Sequence, residues 1–369
     1  MTTARFSARP RPSHRARWAG LPPRTRRAAL VLGGCAGFLV LALFLALGIG
    51  AVAIPPDVIG RLLLNAVGAD LDWATADRDA LVFWSIRVPR VVAGCLVGAS
   101  LALAGATMQG IFRNPLADPA LIGVSSGAAL AAVAVIVVGG AAVGTLPPAA
   151  RAFALPVAAL LGGLAATLIV YRLGSVAGQT MAATTLLAGV AVTAIAQAGI
   201  GFLVFLSDEQ QLRDLSFWTL GSVAGLNWSL LLPAGFLMVV PLATLPTLAG
   251  ALNAMLLGER ESFHMGHDPQ RVKRLAIGLS AVAVGGAVSI SGVIGFVGLV
   301  VPHIFRLLAG PDHRWLLPGS ALLGAGLFLM ADLLARMIVL PAELPIGVVT
   351  ALVGGPFFIW LLVKRKDWG

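Results

Sequence analysis

Ten apolar runs, distributed from one end of the chain to the other, leave it few places to fold but inside a bilayer. They fall at about 28–49, 88–109, 120–139, 149–171, 181–206, 229–250, 274–292, 294–308, 315–336 and 345–363. A hydrocarbon core about 30 Å thick takes about 20 apolar residues per helical crossing, and all but one of the runs are of that order. Composition agrees: 58% of the residues are hydrophobic and 11% charged, against roughly 25% charged in an ordinary globular domain. Mean hydropathy is +0.93. The sequence therefore predicts an all-α polytopic membrane protein of about ten transmembrane helices.

An even number of crossings puts both termini on one side. Lys and Arg close to spans mark the cytoplasmic side, and most of the 26 in this chain gather on one side. They are Arg5, Arg9, Arg11, Arg15, Arg17, Arg24, Arg26, Arg27, Arg113, Arg172, Arg260, Arg271, Lys273, Arg274, Arg306, Arg314 and the run Lys364 to Lys366. The other side keeps Arg61, Arg78, Arg87, Arg90, Arg151, Arg213 and Arg336, together with Asp57, Asp70, Asp72, Asp77 and Asp79. The topology expected is N-in, C-in. Residues 1–27, basic and proline-containing with no acid, read as a disordered cytoplasmic tail, and residues 28–369 as the transmembrane domain. The run from Ala28 to Ile49 is longer than the roughly 7–15 residues of a signal-peptide core, so it reads as a retained first span. A net charge of +10 explained by span-end topology leaves no case for nucleic-acid binding. Cys35 and Cys95 lie in apolar runs, where cysteine acts as a small hydrophobe, so no disulfide or metal framework follows.

Two stretches depart from the pattern. The run 294–308 is only 15 residues, about 22 Å of helix, and it follows the glycine-rich GGAVSISGVIGFVG. Either these glycines bend the backbone against a protein-lined cavity, or they let helices pack closely. The stretch 252–274, LNAMLLGERESFHMGHDPQRVKR, is the one long polar interruption in the second half of the chain. It reads as a water-exposed cytoplasmic loop that meets a partner in the cytosol.

Three longer strings carry a family resemblance. AGATMQGIFRNPLADPALIGVSSGA, from Ala104 to Ala128, sets two X-Pro breaks between spans, with Asp118 placed to cap a following helix. GVIGFVGLVVPHIFRLLAGPDHRWLLPGSALLGA runs from Gly292 to Ala325, and ELPIGVVTALVGGPFFIWLL from Glu343 to Leu362. Together they resemble the signatures of the permease subunits of type II ABC importers, which handle haem, ferric siderophores and cobalamin. The resemblance implies a homodimer of ten-helix subunits in the bacterial inner membrane. It also implies two cytosolic ABC ATPase subunits below and a periplasmic substrate-binding protein above. The 252–274 loop matches the family's coupling region, which carries an ATPase-coupling role onto Gly258, Glu259, Arg260 and Glu261. Arg87 and Arg90, flanking Pro89, and Arg336, closing the ninth span, match the family arginines that dock the binding protein. An arginine in mid-bilayer costs roughly 2.5–3.5 kcal/mol on insertion scales, so all three are expected at outer span ends, with their guanidinium groups reaching water.

The partnership has independent support. A P-loop needs GxxxxGK[ST], and neither Lys273, Lys364 nor Lys366 stands in that context. ATP is thus expected to act only through a partner, with no cofactor bound permanently to this chain. A gradient-driven secondary transporter is the alternative, but it usually shows buried acids or His at mid-membrane, and only Asp332, near the outer end of its span, comes close. His14, His264, His267, His303 and His313 all fall in the tail or on the cytoplasmic side, away from an outer mouth. The outer stretch SDEQQLRDLSFWTLGSVAG, Ser207 to Gly225, looks most like haem permeases, with ferric-siderophore and then cobalamin permeases as alternatives.

Overall fold

The structure is a computed structural model that describes residues 23–50, 52–66, 68, 77–176 and 179–366. Ten helices carry the apolar runs: α1 (Pro23–Gly48), α2 (Val88–Ile111), α3 (Val124–Val137), α4 (Pro148–Leu173), α5 (Ala182–Leu206), α6 (Trp228–Thr244), α7 (Pro269–Ser291), α8 (Val297–Ala309), α9 (His313–Met337) and α10 (Ile346–Lys366). Seven segments are long and apolar enough to cross a membrane, and α3, α8 and the apolar part of α10 are shorter. The expected tail lies outside the described residues as far as residue 22. Helix α1 begins at Pro23, so Arg24, Arg26 and Arg27 lie in its first turns. Long basic stems reach water from there without a break in the helix.

Helix α2 is the centre of the bundle. It packs against α6, α7, α8 and α9, and every residue from Val97 to Ile111 is buried. Its sequence explains this, because Ala, Gly and Ser at VGASLALAGATMQG allow neighbouring backbones to come close. The chain enters α2 through a π-helical turn, Phe83–Arg87, with Pro89 in the first turn of α2 where its missing N–H costs nothing.

The short eighth span assigns different roles to its glycines. Helix α8 has 13 residues, about 20 Å. The backbone before it breaks at Gly292, whose φ of 68° favours glycine, and turns again at Phe296. Gly298, inside α8, instead meets Gly105 of α2 backbone to backbone.

At the other extreme, α5 packs against α3 and α4 and leaves a row of large side chains bare, with Leu187 70%, Ile195 71% and Phe205 84% exposed. An amphipathic helix, Glu209–Leu220, follows it, closed at its start by a capping box between Asp208 and Gln211. Its C-terminal Gly221 carbonyl accepts from the Ile346 N–H at 2.9 Å, which ties the helix to the start of α10. The only strands among the described residues are Ser175–Val176 and Gln179–Thr180, an antiparallel pair between α4 and α5.

Candidate functional site

Two polar clusters occupy opposite ends of the bundle. At the first, where α1 and α9 end and α2 begins, the three arginines singled out from sequence lie together. Their expected exposure is corrected: Arg87 is 4%, Arg90 9% and Arg336 6% exposed. Each guanidinium turns inward because the bundle supplies acceptors there. The last carbonyls of a helix have no partner within it, and Arg87 donates to the carbonyls of Leu47 and Gly48 at the end of α1 and to that of Val52 just beyond it. Arg336 donates to the Ala46 carbonyl at 2.7 Å. A cation at a helix C-terminus is further favoured by the helix dipole.

Arg90 is held differently, by two carboxylates. Its Nη2 lies 2.8 Å from Asp332 Oδ1, and its Nη1 lies 2.9 Å from Glu343 Oε1. Nε bonds both Asp332 oxygens at 3.1 Å, so the fork geometry of the guanidinium is fully used. Asp332 is 1% exposed. A lone acid in an apolar span calls for a cation, and that signal was visible in the sequence. What was not visible is the partner, 242 residues away, nor the part played by Glu343. The cluster thus joins α2, α9 and the segment entering α10.

The second end lies where α4 and α6 stop and α5 and α7 start. Here the water-exposed stretch 252–274 consists of three helical pieces. A helix Ala249–Leu257 extends α6, a short helix Glu259–His264 follows, and α7 begins at Pro269. Gly258 makes the corner at φ 137°, a conformation open to glycine. Asp268 caps α7 by accepting from the N–H groups of Gln270 and Arg271, so the basic string RVKR belongs to the first turns of that helix.

Of the four residues expected to couple to an ATPase, Arg260 and Glu261 face outward. Phe263 and Met265 stand beside them, 66% and 59% exposed. Glu259 instead turns back onto α7, with Oε1 2.7 Å from Lys273 Nζ. Lys273, counted from sequence only as a topology marker, is 3% exposed. Sequence reasoning missed it, since an alternation of basic residues at a span end gives no sign that one of them turns inward. His313 is also buried at this end, with Nδ1 2.9 Å from Asn253 Oδ1.

A second overlooked residue sits at the first end. One face of Glu209–Leu220 carries Glu209, Leu212, Arg213, Ser216, Phe217 and Leu220 around an open hollow. Arg213 is exposed there, with no acid beside it on that face nearer than Glu209, one turn back.

A bundle of ten apolar helices, with seven segments long and apolar enough to cross a membrane and a polar cluster at each end, is the architecture of a multi-pass membrane protein. The chain belongs to the FecCD transport family, whose sequence profile matches residues 38–364. It is 46% identical over 298 residues to the hemin transport system permease of Yersinia pestis, covering 80% of this chain and 87% of that protein. To the cobalamin import system permease of Halobacterium salinarum it is 42% identical over 304 residues, 82% of this chain and 79% of that one. Among solved structures it resembles a metal-chelate type ABC transporter in an inward-facing conformation, with a TM-score of 0.77 and 32% identity, over 91% of this chain and 99% of that one. The protein is thus a permease subunit of the ABC importers, a multi-pass protein of the bacterial inner membrane.

Proposed function

We propose that this chain, paired with a second copy of itself, carries haem across the inner membrane. A periplasmic binding protein feeds it and two cytosolic ATPase subunits drive it. The observation that carries the haem reading is the hemin permease of Yersinia pestis, 46% identical over most of both chains. The open face of Glu209–Leu220 adds a chemical reason. Haem is a flat apolar macrocycle with two carboxylates, and that face offers Phe217 and Leu220 beside the exposed Arg213. The second reading, a cobalamin permease, is favoured by the relative at 42% identity.

The second copy is argued from α5. Its bare apolar flank continues through Phe205 into the helix Glu209–Leu220, and two such flanks about a two-fold axis would enclose a path lined by both. Membrane lipid covers the rest of the bundle. The ATPase is assigned to the exposed face of Glu259–His264, because the sequence carries no P-loop string of its own. A gradient-driven mechanism is disfavoured because Asp332, the acid buried in a span, already neutralises Arg90. The three arginines at the outer end support the binding protein from within, by fixing the rim it lands on. The test is ATP hydrolysis by the reconstituted complex with its binding protein. Haem should stimulate it, and stimulation by cobalamin alone would overturn the assignment.

A further inference from the structure

Resting on the reading of Glu259–His264 as the ATPase contact, we infer that Gln270 and Lys273 are positioning residues. They clamp that short helix to the hairpin leading into α5, so that the two move as one body. Lys273 Nζ donates to the Thr180 carbonyl at 2.7 Å and to Glu259 Oε1 at 2.7 Å. One turn earlier, Gln270 Oε1 accepts from the Thr180 N–H at 2.8 Å, and its Nε2 reaches Glu259 Oε2 at 3.4 Å. Residues three apart share a helix face. Each side chain therefore grips the same two partners: the backbone of Thr180 on one side and the carboxylate of Glu259 on the other.

What the clamp joins gives it its consequence. Thr180 closes the antiparallel pair with Ser175, and α5 starts two residues later at Ala182. Besides the clamp, the helix Glu259–His264 packs on Ala249–Leu257, which precedes it. Only Ser262 among its residues is buried, Glu259 is half-buried and the others are exposed. A push on its outer face is therefore passed to the hairpin, and so to α5, through Glu259, Gln270 and Lys273. Burying a lysine carries a desolvation cost that apolar packing would avoid. What it supplies here is a fixed register between three separate segments.

The experiment uses the complete reconstituted transporter with its ATPase and binding protein. The wild-type complex must first bind the ATPase and hydrolyse ATP faster when loaded binding protein is added. Failure at that step refutes the coupling assignment itself and not the clamp. Lys273→Met should then retain the ATPase on co-purification and keep the basal rate and the KM for ATP. Substrate moved per ATP hydrolysed should fall about five-fold or more. Lys273→Arg should restore much of that ratio. Lys273→Met combined with Glu259→Gln should be no worse than Lys273→Met alone, since the bond between the two is already lost and the Gln side chain can still accept from Gln270. Gln270→Leu, which leaves the buried lysine paired, should lower the same ratio and serves if Lys273→Met does not accumulate. The clamp is overturned if transport per ATP stays at the wild-type level in Lys273→Met and Gln270→Leu. It is equally overturned if transport falls only in step with loss of bound ATPase.

Discussion

Gly105 of α2 and Gly298 of α8 meet so closely that a Cβ on Gly105 would stand 2.7 Å from the Gly298 Cα. No side chain can rotate to relieve such a contact, because backbone lies opposite backbone. Gly98 stands in the same relation to Gly324 of α9, one further step along the same helix. Close approach of this kind replaces, in lipid, the hydrophobic driving force that water would supply.

Gly105→Ala should therefore destabilise the bundle by about 1–3 kcal/mol, the usual cost of overpacking. Gly278→Ala, at a helical glycine with nothing within 4 Å of the added carbon, is the control. It should be neutral or gain up to about 1 kcal/mol of helix propensity. Thermal unfolding of both variants in one detergent decides, and equal midpoints would refute the close-contact account.

Removing one member of the outer-end pair should cost more than removing both. Arg90→Ala leaves the buried Asp332 with only Arg336, 3.9 Å away, in place of its hydrogen-bonded partner, a loss of about 3 kcal/mol, the low end for breaking a buried pair. Arg90→Met combined with Asp332→Leu leaves an apolar contact and should recover part of it. Glu343, 39% exposed on its side chain, contributes less, and Glu343→Gln should shift stability by under about 1 kcal/mol. Unfolding midpoints of the four proteins in detergent would test the ordering.

Binding-protein association should report whether the three arginines act from within or by contact. Because Arg87 is spent on the carbonyls of Leu47, Gly48 and Val52, Arg87→Ala should lower stability and leave the ionic-strength dependence of association unchanged. A direct contact would flatten that dependence, since steering by exposed charge is what salt screens. Association rates across a salt series separate the two.

The bare flank of α5 makes a claim about oligomeric state. Truncating Phe202→Ala together with Phe205→Ala should weaken the pairing of two copies, by more than about 2 kcal/mol if these rings act as anchors. Detergent-corrected light scattering measures it. A dimer of undiminished strength would place the interface elsewhere.

The helix count and the order of the spans were legible because span-length apolar runs have one physical solution in lipid, and even α8 declared its shortness. Burial of charge was not legible. Arg87, Arg90 and Arg336 sit at span ends, where sequence alone allows them to point outward to water or inward to a carbonyl. The acceptors that decide it, at Ala46, Leu47 and Gly48, are backbone atoms with no sequence signature. The inner-end stretch was legible as water-facing, and Arg260, Glu261, Phe263 and Met265 are exposed there. What its charges do not announce is that Gly258 and the Asp268 cap fold it into helices that bring Glu259 back onto Lys273.

The pairing of Arg90 with Asp332 also sets a timetable. The two residues are separated by 242 positions, so at roughly 5–20 residues per second of synthesis the arginine leaves the ribosome roughly 10–50 s before its partner exists. During that interval α2 has neither Asp332 nor Glu343 to accept its guanidinium, and neither α8 nor α9 to meet Gly105 and Gly98. The helix destined for the centre must first wait at the edge, with Arg87 alone able to settle early onto α1, which is made before it. A chain stopped short of Asp332 also lacks Arg336 and Glu343, so in it Arg90 is the guanidinium left without its carboxylates and should keep the start of α2 at the membrane surface.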